Sequence, residues 1–348
     1  MKTSALPWML VLPVLLTLAV LAGVTWGSAQ LDMGQVWSIV RHQAAQALGM
    51  QTAEPGWSLQ QYQIVWMIRL PRVLMAALVG AGLSIVGVVM QAMVRNPLAD
   101  PYMLGVSSGA SVGAVSVLAW GVFAAAGLYA VTAGAFIGAL VATVLVYLLA
   151  QQGGRIPSAR LILSGVAVGY MLTGLTSLVT LTAGQRDLAN ALLTWLLGSL
   201  AGTQWQALGL PAGMVLAGML WLLAQARPLN ALLAGDEAAA TLGVAAERLR
   251  RQLFVVVSLL TGTMVAVSGA IGFVGLVIPH VTRMLVGSDH RRVLPVAALM
   301  GAVFLVLVDG AARTWFAPME IPVGVITAFV GGPFFIAMLW RGAVREDR

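Results

Sequence analysis

The chain has 348 residues, 60% hydrophobic and only 9% charged, with 39 glycines, no cysteine and a formal net charge of +7. That composition excludes a soluble globular domain, and the missing cysteines exclude disulfides and thiolate metal sites. The positive balance is not a nucleic-acid footprint, because the arginines stand at the ends of apolar runs and form no stripe.

The N-terminal segment carries Lys2, then an apolar run from Leu6 to Trp26 that ends at Gly27-Ser28-Ala29, the pattern of a secretory signal. The run is longer than a signal core, so it reads as a retained first helix. A membrane helix needs about 20 apolar residues, whereas a barrel needs sustained alternation, and none is present. Ten spans are expected, at 6–28, 70–93, 102–122, 127–150, 160–182, 205–225, 250–271, 273–287, 293–315 and 321–341. The eighth is short and interrupted by Pro279, which predicts a part-helix shielded within protein.

Between the first two spans, Val36, Trp37, Val40, Ala44, Ala47 and Leu48 recur at helical spacing. This is either an amphipathic helix on the outer surface or a plain connector. Glycines such as Gly80, Gly82 and Gly87 sit inside the second span, where small residues let helices approach closely.

Ten spans place both termini on one side. With that side cytoplasmic, fourteen basic residues lie inside, and Arg41, Arg69, Arg72, Arg186 and Arg313 are left outside. The water-facing stretch Leu229 to Gln252, with Asp236, Glu237, Glu247, Arg248, Arg250 and Arg251, is then cytoplasmic.

Catalytic chemistry is hard to place on this chain. His42, His280 and His290 fall in different segments without metal-ligand spacing. Lys2 is the single lysine, so no G-x-x-x-x-G-K-[ST] phosphate loop exists, and any ATPase driving the chain is a separate subunit. Asp309 is the one acid deep in a span, and Arg313 four residues on favours a structural ion pair over a proton relay. Pro279-His280 reads as a packing feature.

The most specific segment is "RLPRVLMAALVGAGLSIVGVVMQAMVRNPLADPYMLGVSSGASVGA" (Arg69 to Ala114), in which two arginines open a span and Pro97 and Pro101 fix a polar turn at its other end. With "GFVGLVIPHVTR" (Gly272 to Arg283), "DHRRVLPVAALMGAVFLVLVDGAAR" (Asp289 to Arg313) and "EIPVGVITAFVGGPFFIAMLWR" (Glu320 to Arg341), it resembles the permeases of the iron-chelate and vitamin B12 uptake family, the membrane subunits of type II ABC importers.

The resemblance implies an all-α polytopic bundle of ten transmembrane helices, one permease domain over residues 1–348 with a cytoplasmic coupling segment at about 229–250. It implies a homodimer in the bacterial inner membrane, two ATP-binding subunits that hold the ATP and Mg below, and a periplasmic substrate-binding protein above. The chain itself would bind no cofactor, no metal and no nucleic acid, and would be a transport subunit without enzymatic activity of its own. The expected cargo is a ferric siderophore or related iron complex, with haem or cobalamin as the alternative within the family. An ion-coupled secondary transporter is the more distant alternative.

By the same resemblance Arg69, Arg72 and Arg313 pair with acids of the binding protein, with anchoring to lipid headgroups as the plainer role. Asn96 and Leu98, with Ser158 and Ala159, belong to the cytoplasmic gate. Trp195, Gly198 and Ser199 border the path, although Trp195 and Trp205 also suit ordinary interfacial aromatics. Gly235, Asp236, Glu237, Ala238, Leu242 and Gly243 form the coupling contact. There the two glycines permit chain reversals, the acids favour a helix N-terminus, and Leu232, Leu233 and Leu242 offer apolar contact to an ATPase groove.

Overall fold

In the computed structural model, which describes residues 5–27, 31–50, 56–153, 156–184 and 186–346, every expected span is helical. In chain order the helices are α1 (Leu6–Thr25), α2 (Met33–Ala47), α3 (Leu59–Tyr62), α4 (Leu70–Val94), α5 (Val106–Trp120), α6 (Ala130–Ala150), α7 (Ser158–Thr182) and α8 (Arg186–Leu196). They continue as α9 (Gly209–Ala224), α10 (Ala226–Leu233), α11 (Asp236–Thr241), α12 (Ala246–Ser268), α13 (Val274–Val286), α14 (His290–Thr314) and α15 (Val323–Glu346). Seven helical stretches among the described residues are long and apolar enough to cross a membrane; α5, α13 and the apolar part of α15 are shorter. The fold is an all-α polytopic bundle.

Three expected boundaries change for identifiable reasons. The second span does not open at Arg69: α3, a π-helical stretch Gln63–Arg69 and α4 run as one 36-residue rod. Pro71 cannot donate to the preceding turn, and the wider π geometry just before it, with Leu70 N–H reaching Val65 O, lets the rod continue. The third span is shortened because Gly105, in the left-handed region, separates a 3₁₀ turn Pro101–Leu104 from α5. The eighth is not broken at Pro279. Proline leaves the carbonyl of Gly275 without its helical donor, and the Gln91 amide supplies one, reaching Gly275 O at 3.5 Å and Leu276 O at 3.3 Å.

α4 is the hub. In its apolar window 78% is buried, against 28% for α1 and 17% for the stretch containing α9. It packs against α14, α13 and α12. The approach to α14 is backbone-close at Gly80 and Gly301, where a Cβ on either would strike the other's carbonyl. Gly87 meets the carbonyl of Gly275 on α13 in the same way. Close packing of this kind is how membrane helices associate when lipid supplies no hydrophobic drive.

α2 is amphipathic as expected, but its buried face is Val36 and Ile39, while Ala44, Ala47 and Leu48 are exposed. Lys2, Arg155 and Arg348, three of the topology-setting charges, lie outside the described residues.

Candidate functional site

α4 and α14 run antiparallel and carry a charged cluster at each end of the bundle. At 25 residues each, they hold these clusters roughly 35 Å apart.

At the first end Arg72 of α4 donates from Nε to Asp309 Oδ1 at 2.8 Å and from Nη1 to Glu320 Oε2 at 2.7 Å. Arg313 lies one helical turn beyond Asp309, with Nε 3.0 Å from Asp309 Oδ2. That contact is ionic and off the hydrogen-bonding line, since the Nε–H is directed at the Asp309 carbonyl at 3.3 Å. Arg313 also caps the end of α1, donating to Gly23 O at 2.9 Å and Trp26 O at 3.3 Å, and Arg69 donates to Thr25 O at 2.8 Å and Val24 O at 3.2 Å. Two guanidiniums thus satisfy carbonyls that a helix C-terminus leaves without partners. The structural ion pair expected from Asp309 and Arg313 is present.

Arg69, Arg72 and Arg313, which the resemblance pairs with acids of a binding protein, are buried within this chain. They are only 4%, 5% and 4% exposed, and Asp309 is 0% exposed. The rod continues for three turns beyond Arg69, and the end of α1 and the α14–α15 loop cover the guanidiniums. Glu320 carries the accessible charge here, with 41% of its side chain exposed. Glu320 opens the motif "EIPVGVITAFVGGPFFIAMLWR". Only the fold brings it within reach of Arg72.

At the other end the chain leaves α4 through Arg95 and a polar turn. Asn96 Oδ1 accepts from Leu98 N at 2.9 Å and Asp100 Oδ1 from Tyr102 N at 2.8 Å. Beside this turn lies the stretch expected to couple to an ATPase. Gly235 has φ +105° and Gly243 φ +76°, so each reverses the chain at an end of the six-residue α11, as the sequence predicts. Asp236 and Glu237 occupy its first turn. Asp236 is held by Arg250 of α12 through two hydrogen bonds, at 2.6 and 3.0 Å, with Arg95 at 3.7 Å. Glu247 joins the same Arg250 at 3.3 Å.

Asp236 is therefore an internal strut, whereas Glu237 is exposed. Leu242, 69% exposed, and Leu233 are presented to solvent, but Leu232 is buried in the core and is not available to a groove. Ala238 is half-buried on α11. A second strut was invisible in the sequence. Asn230 of α10 donates to Asp289 Oδ1 at 2.7 Å and accepts from the backbone N of His290 at 2.9 Å, joining the coupling stretch to the first residue of α14. This amide, more than the neighbouring arginines, holds the Asp289 carboxyl below the usual carboxylate range.

The expected gate and path residues divide. Asn96 lines a cavity of about 430 Å³ with Gln91, Arg95, Pro97, Leu233, His280, Arg283 and Met284. Leu98 lies outside that lining. Ser158 and Ala159 open α7, which packs on the Pro101–Leu104 turn. Arg283 of α13 is hydrogen-bonded to Gln91 Oε1.

Trp195 and Ser199 line a cavity of about 460 Å³ with Tyr129, Thr132, Thr203 and Gln204. Among the described residues its lining contains no charged side chain. Gly198 is not a wall of it; it is a buried turn residue at φ +75°, close-packed on Ile271 and Ala270. Trp205 is tied to the π-helical stretch: its indole N–H donates to Trp66 O at 2.8 Å and the two rings lie 4.9 Å apart. Among the described residues no group of three or more His, Asp or Glu is arranged to hold a metal ion.

The bundle superposes on the inward-facing structure of an ABC transporter of the metal-chelate type with a TM-score of 0.80 and 30% identity, covering 97% of this chain and 99% of that one. The class is thus the membrane subunit of an ABC importer. Residues 15–341 match the FecCD transport family, and the chain belongs to that family. A cobalamin import system permease of Halobacterium salinarum is 47% identical over 282 residues, 81% of this chain and 74% of the relative. A hemin transport system permease of Yersinia pestis is 42% identical over 288 residues, 82% of this chain and 85% of the relative. Membership implies an ATP-hydrolysing partner and a substrate-binding partner, and makes this chain a transport component.

Proposed function

We propose that the chain, as a homodimer, forms the path of an importer that moves a bulky metal chelate inward, driven by two ATP-binding subunits seated on α10 and α11. The observation that carries this reading is α11 itself. It is a short helix between two left-handed glycines that offers Leu233, Glu237 and Leu242 to solvent while struts at Asp236 and Asn230 tie it to α12 and α14. Such a segment can take a push from a partner and pass it to the bundle. Only contacts that differ in free energy between two states can drive that switch.

In this reading the Arg95 end is cytoplasmic, the Arg72 end faces the binding protein, and both termini are cytoplasmic. α7 supports a position beside the path. Its outer face is apolar at Leu163, Leu178 and Leu181 yet carries exposed Thr173 and Ser177, with Thr173 3.3 Å from Ser108. Hydroxyls on an otherwise lipid-like face suit a second copy of the chain and a wet path between them. The neutral cavity at Trp195 and Ser199 suits a cargo that is passed along without coordination of its metal.

Relatives named for cobalamin and haemin favour a metal macrocycle of the tetrapyrrole type over the ferric siderophore expected from sequence. The secondary-transporter alternative loses support because Asp309, the one deep acid, is already held by two arginines.

The test is reconstitution in liposomes with the ATPase and binding protein. Uptake of a corrinoid, haem or ferric siderophore is measured with and without ATP and with an uncoupler. ATP-dependent, uncoupler-resistant uptake is expected. Leu242→Asp is expected to leave folding intact and to reduce ATPase association and uptake together by about tenfold or more. Uptake that persists without the ATPase and collapses with the uncoupler would overturn the reading.

A further inference from the structure

Among the described residues Arg72 and Arg313 meet two acids, and the acids are not equivalent. Asp309 is sealed inside the bundle, so it is the permanent counterion of Arg72 and Arg313. Glu320 is half-exposed, sits on the short loop between α14 and α15, and is bonded through Oε2 to Nη1 of Arg72. The loop is pinned just after it by Ile321 N–H to Ala312 O at 3.1 Å, and just before it by Met319 N–H to Phe316 O at 2.9 Å. Around Glu320 the same loop exposes Trp315, Phe316 and Met319. A carboxylate therefore closes a cationic socket at the centre of an exposed apolar rim.

If the Glu320 side chain swings out, the loop keeps its backbone ties and Arg72 and Arg313 are left sharing Asp309. The socket is then shaped and charged for another carboxylate, and exposed aromatics and methionine around a charged centre are the residue types enriched at protein interfaces.

We propose that Glu320 is an internal stand-in for an acidic side chain of the substrate-binding protein, and that Arg72 exchanges Glu320 for that residue when the protein docks. This rests on the reading that a binding protein seats at this end of the bundle. It adds that the docking arginine is stored buried and paired, and that Glu320 competes with the partner and sets how tightly it is held.

The test measures binding of the protein used in the uptake assay to the permease–ATPase complex in nanodiscs, at low and high salt. Glu320→Gln and Glu320→Ala are expected to tighten binding by about tenfold at low salt, because the competing charge is gone. Glu320→Asp, which keeps the charge on a shorter arm, is expected to fall between these and wild type. On an Arg72→Gln background, Glu320→Gln is expected to have no effect. If Glu320→Gln and Glu320→Ala remain folded by thermal melting and leave binding unchanged or weaker, Glu320 is a brace and the exchange is wrong.

Nanodiscs of phosphatidylcholine alone and with phosphatidylglycerol separate the protein partner from a lipid phosphate. Tightening that depends on the presence or absence of the anionic lipid would assign the socket to lipid and overturn the proposal. If the wild-type complex binds no such protein in any condition, the functional reading fails first, whatever Glu320 does.

Discussion

The two charged clusters use the same residue types for opposite purposes. At the Arg72 end the arginines and Asp309 are sealed from solvent, and their hydrogen bonds lock α1, α4 and α14 together. At the Arg95 end Asp236 is 45% exposed on its side chain and braces a short helix that stays available to a partner. The acids make the difference. An uncompensated charge in a low-dielectric interior is costly, so losing Asp309 strands Arg72 and Arg313, whereas Arg250, as buried as Arg72, keeps Glu247 when Asp236 is lost.

Breaking the buried cluster is expected to give the largest effect. Asp309→Ala leaves Arg72 and Arg313 without their shared counterion and is expected to cost about 3–5 kcal/mol, read as a loss of folded protein or of melting temperature in detergent. A melting temperature within a degree of wild type would show that water reaches this site. Next comes the seam that joins the two clusters. Gly301→Ala inserts a methyl against Gly80 O and Ser84 Oγ, and is expected to cost about 1–3 kcal/mol by forcing α4 and α14 apart.

The exposed cluster is expected to be more forgiving. Asp236→Asn removes one of two acids from Arg250 and is expected to cost about 1 kcal/mol or less, shrinking further as salt is raised. The same titration should leave Asp309→Ala unchanged, which sharpens the contrast.

The smallest effect is a pH response at Asp289. Its carboxyl is held below the usual range, chiefly by Asn230, so its contribution is present above the unfolded value of about 3.9 and is lost as pH falls through the lower folded value. The α10–α14 strut should therefore weaken only in strong acid, and Asn230→Ala should move that transition upward. Hydrogen exchange at the start of α14 would report it.

The apolar runs by themselves determined the class and the approximate position of the apolar helices, because lipid solubility is a property of a local stretch. The family resemblance also came from local motifs, and so did the short glycine-bounded helix α11, since a chain reversal needs only its own residues. Tertiary structure decided where charges go. Arg69 and Arg72 read as the residues that open a span, yet a π-helical stretch carries the rod past them, and both are buried. Leu232 and Leu242 are the same residue type ten positions apart, and only packing on the core separates the buried one from the presented one. Glu320 over Arg72 and Asn230 over Asp289 join residues far apart in sequence, and no periodicity records such a pair. Its energy exists only once the bundle has closed and excluded the water that would otherwise hydrate each partner.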